Sequence, residues 1–156
     1  MTRQATRLAV HVLSCDAKII GSLVGGCRIT VRHRETGDIL ARGLHLGGSG
    51  DTEAIMKKPP ERGGARFQAS GTACFRVELE IDEPTPVEVT AEGPLAFPGS
   101  IQTASASTWL IPGQHMDGDG LVLQLHGFIV GIMTPTLADT FHSNDGVDLK
   151  ARVHLL

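Results

Sequence analysis

The side chains best equipped for chemistry in this sequence are seven histidines: His11, His33, His45, His115, His126, His142 and His154. A metal centre needs two or three imidazoles converging on one ion, each with its second ring nitrogen held by a neighbour. No two histidines stand at H-x-H or H-x-x-x-H spacing. Ligands would therefore have to come from separate strands, and His11, His45 and His126 all lie on predicted strands. The alternative is seven separate surface or core histidines, and with it comes the expectation of no cofactor.

The other clusters are explained without a reaction. Asp117-Gly118-Asp119-Gly120 has the alternating carboxylates of a calcium loop but lacks the distal glutamate and further oxygen ligands, while aspartate and glycine alone account for a turn. Gly47-Gly48-Ser49-Gly50 lacks the lysine and the long following helix of a phosphate loop. Glu78, Glu80 and Asp82 form a carboxylate comb. An acid–base pair would need one of them desolvated, whereas the wet face of an antiparallel sheet yields the same comb, paired across strands with Arg28, Arg32 or Arg34. Ser14, Ser49 and Ser143 lack a G-x-S-x-G setting, and no cysteine has an activating neighbour in sequence. The chain is expected not to be an enzyme.

Composition narrows the partners. A net charge of −3 offers no general attraction to nucleic acid or an acidic membrane surface, and 4% aromatics with no tyrosine leaves no stacking platform for single strands. Cys15, Cys27 and Cys74 are odd in number and form no C-x-x-C pair, which reads as reduced thiols in the cytoplasm. Arg3 and Arg7 precede a short apolar run ending at Ser14-Cys15, but His11 interrupts it, so it is too short for a signal peptide and the chain is expected to be unprocessed. No run approaches the ~18 apolar residues of a membrane span.

The elements that must position these groups follow a period of two. Leu8, Val10 and Val12 alternate with Arg7, Ala9 and His11; Ile29, Val31 and His33 alternate with arginines and Thr30; a turn follows at residues 35–38. A third strand is predicted to turn Leu40, Leu44 and Leu46 one way and His45 the other. Residues 54–56 are a short apolar run, and residues 57–65 a long exposed loop. Phe75, Val77, Leu79 and Ile81 alternate strictly with Arg76, Glu78, Glu80 and Asp82. Val87, Val89 and Ala91 start the next strand, and Ala104, Ala106, Trp109 and Ile111 offer themselves for packing in another. Residues 117–120 read as a turn before a long strand through Leu121, Leu123, Leu125 and Ile129. A last strand carries Val147, Leu149, Ala151, Val153 and Leu155. Thr134 and Pro135 suit the start of a short helix over residues 137–141.

About seven or eight short strands, at most one short helix, and 19 glycines and eight prolines between them predict one all-β domain over residues 1–156, a two-sheet antiparallel sandwich of immunoglobulin-like or prealbumin-like kind. Residues 27–56 carry a V-x-V strand, the turn at Thr36-Gly37, a second strand and the glycine-rich turn Gly47–Asp51. This segment resembles the carboxypeptidase-regulatory-like and transthyretin-like domains, whose theme continues into a further strand. The resemblance covers about a fifth of the chain. The enzyme of that group, 5-hydroxyisourate hydrolase, ends in a tyrosine-arginine-glycine-serine tetrad; this chain ends Arg152-Val153-His154-Leu155-Leu156, so no catalytic residue carries over.

Residues 127–141 are unusually apolar for a connection. Phe128, Ile132, Met133, Leu137 and Phe141 either complete the core or form a contact patch, which Leu155-Leu156 could join or extend as an open strand edge. The expectation is a non-catalytic accessory or binding module for a protein or small ligand, with a homodimer as one form. The alternative is a transthyretin-type hydrolase or a histidine-based metal enzyme.

Overall fold

Strand β1 (Gln4–Leu13) is the axis on which the domain is assembled. The computed structural model describes residues 2–16 and 18–156. The chain continues through β2 (Cys27–His33), β3 (Ile39–His45), a single-turn helix α1 (Thr52–Met56), β4 (Phe75–Ile81), β5 (Thr85–Gly93), β6 (Gln102–Leu110), β7 (Met116–Gln124), β8 (Phe128–Thr134) and β9 (Lys150–Leu155). One sheet has the order β4-β1-β7 and the other β3-β2-β5-β6; β8 and β9 form a separate two-stranded hairpin. The protein is thus a seven-stranded, two-sheet β-sandwich carrying an extra hairpin.

The alternating apolar rows meet between the sheets. Leu8, Val10 and Val12 of β1 and Phe75 of β4 pack on Ile29 and Val31 of β2, Val87, Val89 and Ala91 of β5, and Leu110 of β6. Each fully buried aliphatic side chain contributes about 1.5–3 kcal/mol relative to exposure, as an upper estimate. Close approach of the sheets requires glycine at 43, because a Cβ there would overlap the Phe75 ring.

The structure departs from the two-residue reading at identifiable places. In β3, Val31 pairs with Ala41 but Arg32 pairs with Ile39, leaving Leu40 as the extra residue of a bulge. Beyond it Ala41, Gly43 and His45 lie opposite the buried Val31, Ile29 and Cys27. His45 therefore points inward and Leu44 and Leu46 outward, the reverse of the expected assignment. In β6, Ala104, Ala106 and Thr108 lie opposite Ala91, Val89 and Val87, whereas Trp109 lies opposite Pro86. Leu110 is buried and Trp109 is half exposed.

The short apolar run at residues 54–56 lies in the helix α1. Asp51 caps α1 by accepting the Glu53 and Ala54 N–H groups. The predicted helix at residues 137–141 is absent: Thr134 ends β8, and Leu137 is fully exposed in an irregular connection. The predicted long strand through Ile129 is two, with β7 ending at Gln124 and β8 starting at Phe128, and the last strand begins only at Lys150.

One pairing is parallel rather than antiparallel. β7 runs alongside β1, and between Leu8↔Met116 and Val10↔Leu121 the register slips around Asp117–Gly120. That segment is a bulge inside β7 rather than a turn before it. Gly120, at φ +53°, passes so close to the Ala9 carbonyl that a Cβ would collide with it.

β1 is buried on both faces, so Ala9 and His11, expected outside, are inside. A second, smaller cluster covers the outer face: Leu13 of β1 and Ile19 after it, Ile55 of α1, and Phe67 and Ala73 of the long segment before β4. Among the described residues, no helix is long and apolar enough to cross a membrane.

Candidate functional site

The structure brings two of the three candidate metal ligands together. His11 from β1 and His45 from the end of β3 are fully buried, with ring centroids 6.4 Å apart in an edge-on arrangement. His126 does not join them: it is exposed in the β7–β8 connection and lies on no strand.

The nitrogens of the pair are already engaged. The Val12 N–H donates to His45 Nε2 at 3.1 Å, so the ring proton sits on Nδ1 and is donated to the Ile20 carbonyl at 3.0 Å. His45 is a strap joining β1, β3 and the segment after β1, with no free lone pair for an ion. Burial, with His11 adding to it, lowers its pKa from 6.5 to about 4.

His11 lies 3.0 Å by Nδ1 from the Ala73 carbonyl and 3.2 Å by Nε2 from the Gly118 carbonyl, and stacks on Phe67 at 4.2 Å. A neutral ring has one N–H for two carbonyls. The conflict is relieved at Nε2, which is 3.7 Å from the Cys74 thiol and can accept its proton when Nδ1–H donates to Ala73. Burial lowers the His11 pKa and raises that of Cys74, so both sit in the uncharged form. A nucleophilic pair needs the opposite shifts.

The remaining clusters are engaged structurally or stand alone. Asp117 pairs with Arg7 at 2.8 Å, and Asp119 Oδ1 accepts the Arg66 and Phe67 N–H groups at 2.7 and 3.1 Å. Asp119 thereby fixes the loop that lays Phe67 over His11, a role that an Asp-Gly repeat does not reveal. Arg28 pairs with Glu92 across β2 and β5, not with the Glu78, Glu80 and Asp82 comb, which lies on the other sheet. Cys15, Cys27 and Cys74 are free, and burial pushes the Cys27 thiol up to about 12. Among the described residues no three His, Cys, Asp or Glu side chains are grouped to hold a metal ion.

The hairpin is the other candidate site. Its base is anchored: Ile129 and Leu156 are buried in the main core, the Leu156 N–H donates to the Gly127 carbonyl at 2.7 Å, and the Val130 N–H to Ser100 Oγ at 3.3 Å. Beyond the base, Phe128 pairs with Leu155, Val130 with Val153 and Ile132 with Ala151. Residues directly opposite in a ladder share a face, so these six side chains form one continuous apolar face without a charge. Phe128, Val130, Ile132, Val153 and Leu155 are each 52–65% exposed.

Of the residues singled out in sequence, Phe128 and Ile132 lie on this face. Met133 follows at its end, while Leu137 and Phe141 lie in the irregular connection; all five are exposed. Val130 of the same apolar stretch and Ala151 and Val153 of the last strand complete the face; that the two rows share it is decided by the pairing of β8 with β9. An apolar cleft of ≈ 480 Å³ adjoins the hairpin base between Ile19, Leu23, Phe97, Ile129 and Leu155.

Comparison with known protein families, with curated proteins and with solved structures returns no match.

Proposed function

We propose that this domain is a non-catalytic binding module whose working surface is the apolar face of the β8–β9 hairpin, and that the occupant of that face is another protein surface. The observation carrying this is the six-residue, charge-free row from Phe128 to Ile132 and Ala151 to Leu155, left in water as one continuous face of a regular two-stranded ladder. Contiguous exposed apolar patches mark interaction sites, and a two-stranded hairpin on its own is marginal in water. The engaged nitrogens of His11 and His45 and the uncharged state of Cys74 favour a structural role for the histidine pair. Three free cysteines agree with a reducing compartment, the cytoplasm. The sandwich architecture agrees with a transthyretin-like or carboxypeptidase-regulatory-like relationship.

The magnitude says how the face is used. Each of these side chains is about half exposed, so covering it yields roughly 1 kcal/mol. The row together gives about 5 kcal/mol, at the low end of the ~4–15 kcal/mol lost on association. A stable complex therefore needs a second contact beside the face.

A photo-crosslinking residue at position 130, in cells producing the protein, tests the reading. Crosslinks to protein are expected from 130, to be abolished by Ile132→Asp, and not from the exposed control position 105. Equal yields at 130 and 105 refute it.

A further inference from the structure

The second contact is legible in the strand edges. Three sheets have six edges. That of β8 is met by Ser100, and β3 and β4 are bridged only beyond their ends, at Leu46 and Cys74; otherwise β3, β4, β6, β7 and β9 carry no ladder on their outer sides among the described residues. An open edge is a template for strand addition, and natural chains protect it unless pairing is its purpose.

β9 is sorted into two rows. Ala151, Val153 and Leu155 lie on the apolar face, and Lys150, Arg152 and His154 on the other. All six are exposed, and neither Lys150 nor Arg152 forms an ion pair among the described residues. A second β9 is a poor match, because strands paired antiparallel keep each row together and would set Lys150 and Arg152 among their own copies.

Charge then sorts the other edges. β3 presents Arg42 outward, and β6 presents Thr103, Ser105 and Ser107. The carboxylates of β7 are engaged by Arg7 and Arg66. Only the β4 edge offers carboxylates outside any ion pair: Glu78, Glu80 and Asp82 point out, Glu78 opposite Arg7, which Asp117 already holds, and Glu80 opposite Ala5, while Arg76 heads the same row. On the inner side of β4, Val77, Leu79 and Ile81 touch the core yet remain only partly buried. From Val77 onward this edge therefore alternates half-covered apolar residue and anion with the same period that β9 alternates cation and apolar residue.

We propose that β9 of one copy adds as a strand to the open β4 edge of a second copy, head to tail. Lys150 and Arg152 meet the Glu78–Asp82 comb, while Ala151, Val153 and Leu155 continue the row Val77, Leu79 and Ile81 and close the seam of the neighbour's sandwich. Backbone hydrogen bonds supply the contact that the hairpin face lacks by itself. This rests on the reading of the hairpin as a docking element and names its partner as this same chain. The contact is heterologous, so a pair leaves the β4 edge free on one copy and β9 free on the other, and the product is a ring or an open chain rather than a closed dimer.

Sedimentation equilibrium from micromolar to millimolar concentration tests it, with Arg152→Glu and Glu80→Arg as exposed, single-charge variants. The wild-type protein is expected to associate reversibly beyond a dimer, and each variant to associate at least about tenfold more weakly. An equimolar mixture of the two is expected to regain association, since every mixed contact then sets opposite charges together; this also controls for misfolding. Association unaffected by Glu80→Arg, or not regained in the mixture, overturns the head-to-tail contact. A wild-type protein that stays monomeric overturns the second copy as partner. In that case crosslinks from position 130 to a different protein keep the hairpin as a docking site, and their absence removes both.

Discussion

Replacing His45 by glutamine separates what its hydrogen bonds contribute from what its titration contributes. The side chain is fully buried, accepts from Val12 N–H and donates to the Ile20 carbonyl. Its pKa is 6.5 in the unfolded chain and about 4 in the folded one. A histidine whose folded pKa is depressed favours folding while neutral: its contribution is fully present above pH 6.5 and is lost as pH falls from 6.5 through 4, where the unfolded chain binds the proton first. A shift from 6.5 to about 4 corresponds to roughly 3 kcal/mol over that window. The depressed pKa of His11 acts in the same direction. An amide at position 45 can accept and donate as the imidazole does but does not titrate. The His45→Gln variant is expected to be less stable at pH 7 by about 1–3 kcal/mol, from imperfect geometry. Between pH 6.5 and 4 it should lose roughly 3 kcal/mol less than the wild-type protein. Urea unfolding at half-unit pH steps measures both curves, and carboxylate titration cancels in their difference. Parallel curves for the two proteins across that window would refute the assignment of His45 as a neutral buried strap.

Three further outcomes follow from the packing. Gly43→Val drives a side chain into the Phe75 ring and is expected to cost about 1–3 kcal/mol, read as a lowered Tm; an unchanged Tm would mean the sheets can separate freely there. Deleting Leu156 removes a buried side chain and the N–H bond to Gly127, so stability should fall by about 2–4 kcal/mol and amide exchange should rise selectively in β8 and β9. Cys27, buried and with its thiol pushed up to about 12, should resist alkylation at pH 8 until denaturant is added; labelling at the same rate as Cys15 would contradict its burial.

Much of the architecture was legible because a two-residue period reports directly which face of a strand is wet. Phe75–Ile81 and Val87–Ala91 pack as their alternation requires. The departures from it have separate causes. A bulge at Leu40 reverses every later side chain in β3, and nothing local in Ile-Leu-Ala-Arg marks it. Trp109 looks like a core residue by type, but the register with β5 gives the inward place to Leu110. Ala54-Ile55-Met56 is too short to show a helical period, and the Asp51 cap settles it as helix.

The sequence alone determined the class of fold and its rows: alternating apolar residues must find a common interior, and glycine and proline between them break the chain into strands. It also marked Phe128, Ile132 and Met133 as unusually apolar. Only the tertiary structure decided which rows are covered. The parallel β1–β7 pair joins residues more than a hundred positions apart, which no local pattern encodes, and it is this pair, with the Phe67 segment, that buries His11. The same sorting leaves the hairpin face in water. Ile129 and Leu156 satisfy the core at its base, and the seven-stranded sandwich closes without the rest of β8 and β9.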